Sequence, residues 1–135
     1  MIVVDTNIIS YLFLPTSFSE HASQLYRTDP NWVAPELWRS EFRNVLALYL
    51  RQSIVSLNEA LVLQDEAESL MADREFSLPS AAVMNLVASS SCSAYDCEFV
   101  ALARQLSIKL VTQDKKLLRE FPETAISISD FLFGS

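Results

Sequence analysis

Apolar and polar positions in this chain alternate between short unbroken runs and longer stretches with a helical repeat. Ile2-Val3-Val4 is a β-branched apolar run that reads as a strand buried on both faces. Asp5 breaks it, and Ile8, Ile9, Leu12 and Phe13 then recur at helical spacing, which predicts a helix from Ile8 to Leu14 stopped by Pro15. A second short helix opens at Ser19-Glu20-His21-Ala22, carries Ala22, Leu25 and Tyr26 on one face, and ends near Asp29-Pro30. Trp32-Val33-Ala34 is the next strand. Pro35 suits a first helical turn, so the following helix is expected to run on through Glu36, Leu37 and Trp38 to about Gln52.

Ser56-Leu57-Asn58-Glu59 starts a helix reaching about Ala72, with Ala60, Leu63, Ala67 and Leu70 turned inward. Glu59, Asp65, Glu66, Glu68, Asp73 and Glu75 make this segment acidic, with Arg74 as its local opposite charge, and predict a solvated face. Pro79 opens another helix through Val87, and Ser89-Ser90-Ser91 is a loop. The next helix begins near Ser93 and sets Asp96, Phe99, Val100, Ala103 and Leu106 on one face. Ile108 to Thr112 is a strand, Lys115 to Phe121 a helix, Ala125 to Ile128 a strand, and Asp130 to Phe133 a closing turn.

This order predicts an α/β fold, a mostly parallel central sheet of four or five strands with helices on both faces. No repeat or linker divides the chain, so residues 1–135 are expected to form a single domain. Ligands of such sheets bind beyond the carboxyl ends of the strands. Asp5 and Asp114 each follow a strand at that end, where either can hold a metal ion or cap the next helix. Glu41 and Asp96 lie near helix starts, Glu41 sharing an apolar stripe with Val45, Leu48 and Tyr49. A carboxylate on such a stripe is costly unless it is paired or ligates something. Glu41 at the stripe's edge can instead meet water, Arg39 or Arg43, and Asp96 gains from the helix dipole. Glu98 faces another way and reads as a surface acid.

Composition narrows the chemistry. The 135 residues are half hydrophobic with a single Gly, enough for one compact, helix-rich core. A net charge of −7 and a pI near 4.6 argue against a broad basic surface for nucleic acid. They leave open an enzyme whose acids gather at a metal, because bound cations invert the local electrostatics. Cys92 and Cys97 make no disulfide framework and, with a lone His21, a poor zinc pattern, so reduced thiols in a cytoplasmic protein are expected. No leader is expected, since Asp5 interrupts the first apolar run, and Ile8 to Leu14 falls far short of the ~20 apolar residues of a membrane span.

If right-handed crossovers join these elements, all four carboxylates converge in one crevice and raise one another's pKa values. Divalent cations make such a cluster tolerable, and oxygen-only ligands suit magnesium or manganese. Ions held in this way activate water and neutralise phosphate oxygens, the arrangement used in phosphodiester hydrolysis. Arg39 and Arg43 flank Glu41, and Lys115, Lys116 and Arg119 follow Asp114; they form either a local basic rim for RNA or ordinary helix-surface charge. Thr6, Asn7 and Thr112 either support the carboxylates by hydrogen bonds or serve turns.

Val3-Val4-Asp5-Thr6-Asn7, Ser40-Glu41-Phe42, Tyr95-Asp96 with Phe99-Val100-Ala101-Leu102-Ala103, and Leu110-Val111-Thr112-Gln113-Asp114 follow in order along nearly the whole chain. The set resembles the PIN-domain family, specifically the small VapC-like toxins of prokaryotic toxin–antitoxin pairs. The resemblance implies a PIN-like nuclease domain over residues 1–135 and a magnesium- or manganese-dependent endoribonuclease. By position, Asp5, Glu41, Asp96 and Asp114 match the acidic quartet, with Asp114 the least firmly catalytic, and Thr6, Asn7 and Thr112 match its supporting polar residues. It also implies a homodimer and an antitoxin whose tail enters the active-site groove; Trp38 and the apolar excess fit a hydrophobic interface. Cys97 stands where a small Ala is frequent and Phe99 where Tyr is common, and neither change touches a carboxylate. Two other classes fit an α/β chain of this kind: a catalytically silent PIN-like binding module, and a one-metal phosphate-accepting regulatory domain. The latter wants a lysine at a strand end, whereas Lys109 begins its strand.

Overall fold

In the computed structural model, which describes residues 1–134, the described strands form one five-stranded parallel sheet. The strands β1 (Ile2–Val4), β2 (Trp32–Pro35), β3 (Glu75–Phe76), β4 (Leu110–Val111) and β5 (Ala125–Ile126) lie in the order β3-β2-β1-β4-β5. Helices α1 (Thr6–Phe13) and α2 (Ser19–Thr28) join β1 to β2, and α3 (Trp38–Arg51) and α4 (Leu57–Leu70) join β2 to β3. Helices α5 (Ser80–Ala88) and α6 (Ala94–Leu106) lead to β4, α7 (Lys115–Glu120) leads to β5, and α8 (Ile128–Phe133) follows it.

Every side chain of β1 is buried, although successive side chains point to opposite faces of a strand, so helices cover both faces of the sheet. Helix α6 packs along β1, β2 and β4, burying Phe99, Val100, Leu102 and Ala103, while α1 packs on β1, α2 and α3. Short polar side chains start the helices: Ser56 and Glu59 form a reciprocal capping box on α4, Ser93 caps α6 and Ser127 caps α8. Among the described residues no helix is long and apolar enough to cross a membrane.

Several elements differ from the sequence expectation, each for a physical reason. Pro35 closes β2 instead of opening a helix, and α3 starts at Trp38. The buried face of α3 is Trp38, Phe42 and Leu46, whereas Leu48, placed on the stripe with Glu41, is 51% exposed. A two-residue strand such as β3 is too short for any periodic signal; Ala34 N donates to the Arg74 carbonyl oxygen and Glu36 N to that of Phe76. Strands β4 and β5 keep only the central pairs of the longer runs, and the closing turn is helix α8. Trp38 is fully buried with its indole N–H donating to Glu75 Oε2 at 2.8 Å, so it belongs to the core and not to an exposed interface.

Two acids of the supposedly solvated acidic stretch are also paired. Glu75 accepts from Arg39 Nε at 2.6 Å and Nη2 at 2.7 Å, and Glu68 accepts from Arg39 Nη1 at 3.0 Å. The partner lies 29 residues from Glu68 and 36 from Glu75, which is why local charge counting leaves these acids without one. Arg39 thereby pins the start of α3 to the edge strand β3.

With one Gly in the whole chain, tight turns fall on other residues: Ser53, Asp73 and Ser107 all take positive φ. Ser107, at φ 57°, closes α6 in the left-handed conformation. Ser107→Gly should therefore stabilise the fold by about 1 kcal/mol in urea unfolding, because the left-handed cost of a Cβ is removed.

Candidate functional site

The chain steps outward from β1 to β2 and β3, then returns to the other side of β1 for β4 and β5. The direction of winding therefore reverses between β1 and β4, and a crevice forms at their carboxyl ends. Asp5 leaves β1 there, its backbone N–H donating to the Val111 carbonyl at 3.0 Å. Thr112, at the end of β4, donates its hydroxyl to Asp5 Oδ2 at 2.6 Å, and Thr6 N donates to Asp5 Oδ1 at 2.8 Å. The Thr6 hydroxyl reaches the other way, to Glu41 Oε1 on α3, at 2.7 Å. Asp114 N donates to Thr112 Oγ1 at 3.0 Å, while Asp114 Oδ1 caps α7 by accepting from the Lys116 and Leu117 backbone N–H groups. Asp96 enters from the first turn of α6.

Asp5, Glu41, Asp96 and Asp114 line a single cavity of roughly 570 Å³, together with Thr6 and Asn7. Thr112 lies behind Asp5, fully buried. For Asp5 and Asp114 the capping and site-lining roles coexist, since Asp5 also starts α1 and Asp114 starts α7. The remaining walls are Leu37 just before α3, Ser40, Asn44 and Val45 from α3, and Tyr95 beside Asp96. Ser40 belongs to the Ser40-Glu41-Phe42 motif and Asn44 to none; the two are four residues apart on α3 and so neighbours on one face, beside Glu41, which stands three before Asn44.

The cavity holds its acids away from their ordinary ionisation. Burial, reinforced by the charges of Glu41 and Asp96 and opposed by the Thr112 and Thr6 hydrogen bonds, pushes Asp5 up to about 7. Glu41 is raised by burial and by the charges of Asp96 and Glu98, against the Thr6 hydroxyl. Asp96 is raised by burial and by Asp114, with Ser93 and Lys116 opposing. Glu98, expected as a plain surface acid, is itself raised by partial burial and acts on Glu41.

The PIN domain family model matches residues 2–123 of this chain. The chain belongs to the PIN-domain family. Solved structures agree on the fold. FitAcB from Neisseria gonorrhoeae matches at 22% identity over 86% of this chain and 89% of its own, with a TM-score of 0.69. PAE2754 from Pyrobaculum aerophilum matches at 20% identity over 97% and 92%, with a TM-score of 0.77. FitAB bound to IR36 DNA fragment matches at 20% identity over 95% of each chain, with a TM-score of 0.70. No curated protein matches the sequence.

PIN domains are generally nucleases and typically use a divalent metal. The donor set of this PIN domain fits a hard cation, because its cavity offers carboxylate, amide and hydroxyl oxygens and neither imidazole nor thiolate. Asn7 Oδ1 is buried at the cavity without a hydrogen-bond partner, and an unmet acceptor of that kind costs about 1–3 kcal/mol until something occupies it. Among the described residues no three acidic, imidazole or thiol groups stand close enough to enclose one ion. Magnesium does not need such a cage, since it is usually held by one or two carboxylates and keeps several waters.

The basic residues near the acids separate into different tasks. Arg39 is engaged by Glu75 and Glu68 and does not line the cavity. Arg43 donates to Ser40 Oγ at 3.0 Å and borders a separate apolar groove between α3 and α4. Lys115 and Lys116 begin α7 and stay exposed, and it is the Lys116 charge that reaches Asp96. Lys109 donates to the Glu123 carbonyl at 2.7 Å, at the start of β4 and so at the opposite end of that strand from the cavity.

A proton on Asp5 below pH 7 contributes to the pH dependence of stability, in the same direction as the raised Glu41 and Asp96. The folded chain holds this proton more tightly than the unfolded chain does, from about 7 down to 3.8, so the Asp5 contribution turns unfavourable as pH rises through that window. Asp5→Asn should accordingly raise the metal-free melting temperature at pH 8, with a gain that shrinks towards pH 4. Calorimetry at the two pH values reads the difference.

Proposed function

We propose that this PIN domain, over residues 1–135, is a divalent-metal-dependent endoribonuclease that hydrolyses RNA phosphodiester bonds. One observation carries the reading: three acids from separate elements, Asp5, Glu41 and Asp96, repel one another in the cavity at the sheet's reversal point. Proteins keep costly like charges together chiefly where chemistry needs them.

Magnesium or manganese would be held among Asp5, Glu41, Asp96 and Asp114 by one or two of these carboxylates directly and by the others through its waters, with the Asn7 amide oxygen as a further acceptor. The ion's contribution is to polarise a water and offset phosphate charge. Thr112 and the Thr6 backbone fix both oxygens of Asp5, and the Thr6 hydroxyl fixes Glu41, so Thr6 ties two acids in one orientation. Glu41 uses Oε1 for that bond, which leaves Oε2 to take a proton from the attacking water; its raised pKa suits a general base. Lys116 meets the substrate backbone beside Asp96, with Lys115 and Arg43 further out, and Arg39 acts by pinning α3.

The resemblance to VapC-like toxins, with FitAcB and FitAB among structures of the same fold, supports a cytoplasmic toxin held in check by a cognate antitoxin protein, with a homodimer as the working unit.

Cleavage of RNA should require magnesium or manganese, stop with EDTA, and fall in Asp5→Asn and Asp96→Asn by more than the roughly 10–100-fold cost of losing a group one step removed from a metal. Asp114→Asn should lose less, because Asn caps α7 equally well. Activity that survives EDTA and Asp5→Asn contradicts the proposal. Manganese affinity, read by calorimetry, should weaken as pH is lowered through about 7, because the Asp5 proton competes with the ion.

A further inference from the structure

The cavity poses a problem of affinity for any nucleic acid. Its acids repel phosphate, the whole chain carries −7, and Lys116 is the lysine or arginine whose charge is felt at Asp96. Attraction through the phosphate backbone, the usual source of nucleic-acid affinity, is therefore weak here. Groups that do not depend on charge must add to that weak attraction, and one wall of the cavity supplies them. Tyr95 stands at the second position of α6, immediately before Asp96, and is 63% exposed. Its ring is stacked on no other aromatic ring among the described residues. Leu37 just before α3 and Val45 within it add apolar surface to the same cavity, and Asn44 adds an exposed amide that can meet the polar edge of a base.

We propose that Tyr95 is the platform of a nucleobase subsite, on which an unpaired base next to the scissile phosphate stacks. An exposed aromatic face accepts any base that has left its helical stack, whereas bases inside a duplex cannot reach it. Leu37 and Val45 cover the apolar faces left over, and Asn44 supplies the hydrogen bond that favours some bases above others. The subsite rests on the nuclease reading for its position beside the acids, but it concerns binding and has its own readout.

Two measurements on the full chain separate the claims. In steady-state cleavage of a short single strand with manganese, Tyr95→Ala should raise KM about tenfold, the size of one lost base–aromatic stack, with kcat little changed, and Tyr95→Phe should match the parent protein. A strand with an abasic position at the stacked site should lose the same factor with the parent and nothing further with Tyr95→Ala. In calcium, a strand carrying 2-aminopurine at that position should lose fluorescence on binding the parent chain and keep it on binding Tyr95→Ala. KM unchanged in Tyr95→Ala, or a 2-aminopurine strand that binds with its emission intact, overturns the subsite and leaves the nuclease reading standing. Quenching that depends on Tyr95, without cleavage under any divalent ion, upholds the subsite and sinks the nuclease reading.

Discussion

Asp5 at the carboxyl end of the central strand is a buried carboxyl group that no cation of the described residues pairs with. Two hydrogen bonds soften the burial, from the Thr112 hydroxyl and the Thr6 backbone, yet the group still sits near 7. Glu41 and Asp96 then add like charge. A buried carboxylate is tolerated when it is paired or coordinates a metal, and here the pairing partner is missing from the protein itself. The rest of the site shares that imbalance: its hydrogen bonds orient the acids without neutralising them.

Position is provided by the sheet. The reversal between β1 and β4 makes the crevice, and the hydrogen bond from Thr112 to Asp5 crosses it, joining residues 107 apart in sequence. Thr6 extends the network to α3 by serving Asp5 with its backbone and Glu41 with its side chain. Behind α3, the paired contacts of Arg39 with Glu75 fix the helix start to β3, so the edge strand helps to hold the acid nearest to it. Stability and function are thus built from the same contacts, with the core of α6 carrying Asp96 on its first turn.

Much of this was legible in the chain. Ile2-Val3-Val4 followed by Asp5, and Leu110-Val111-Thr112 followed by Gln113-Asp114, announced buried strands ending in acids, and the alternation of strands and helices implied the parallel sheet. What stayed hidden depended on long-range partners. The Arg39 to Glu75 pairing joins a helix to a two-residue strand with no pattern of its own, so both the strand and the fate of the acidic stretch were invisible. The face of α3 was misjudged by one position because Leu48 is apolar and yet exposed, while Trp38 fixes the true inner stripe from the first turn. Ser40 and Tyr95 stand beside motif acids and Asn44 a helical turn from Glu41, but nothing in the residue pattern marks any of them as a cavity wall.

The most direct measurement is an anomalous difference map at the manganese edge from crystals grown with manganese. An ion peak within ligating distance of Asp5 and Asp96, reached through oxygen atoms alone, is the predicted result. A map with no peak in that cavity at saturating manganese, or one with the ion bound elsewhere, contradicts the claim that an external cation settles these acids.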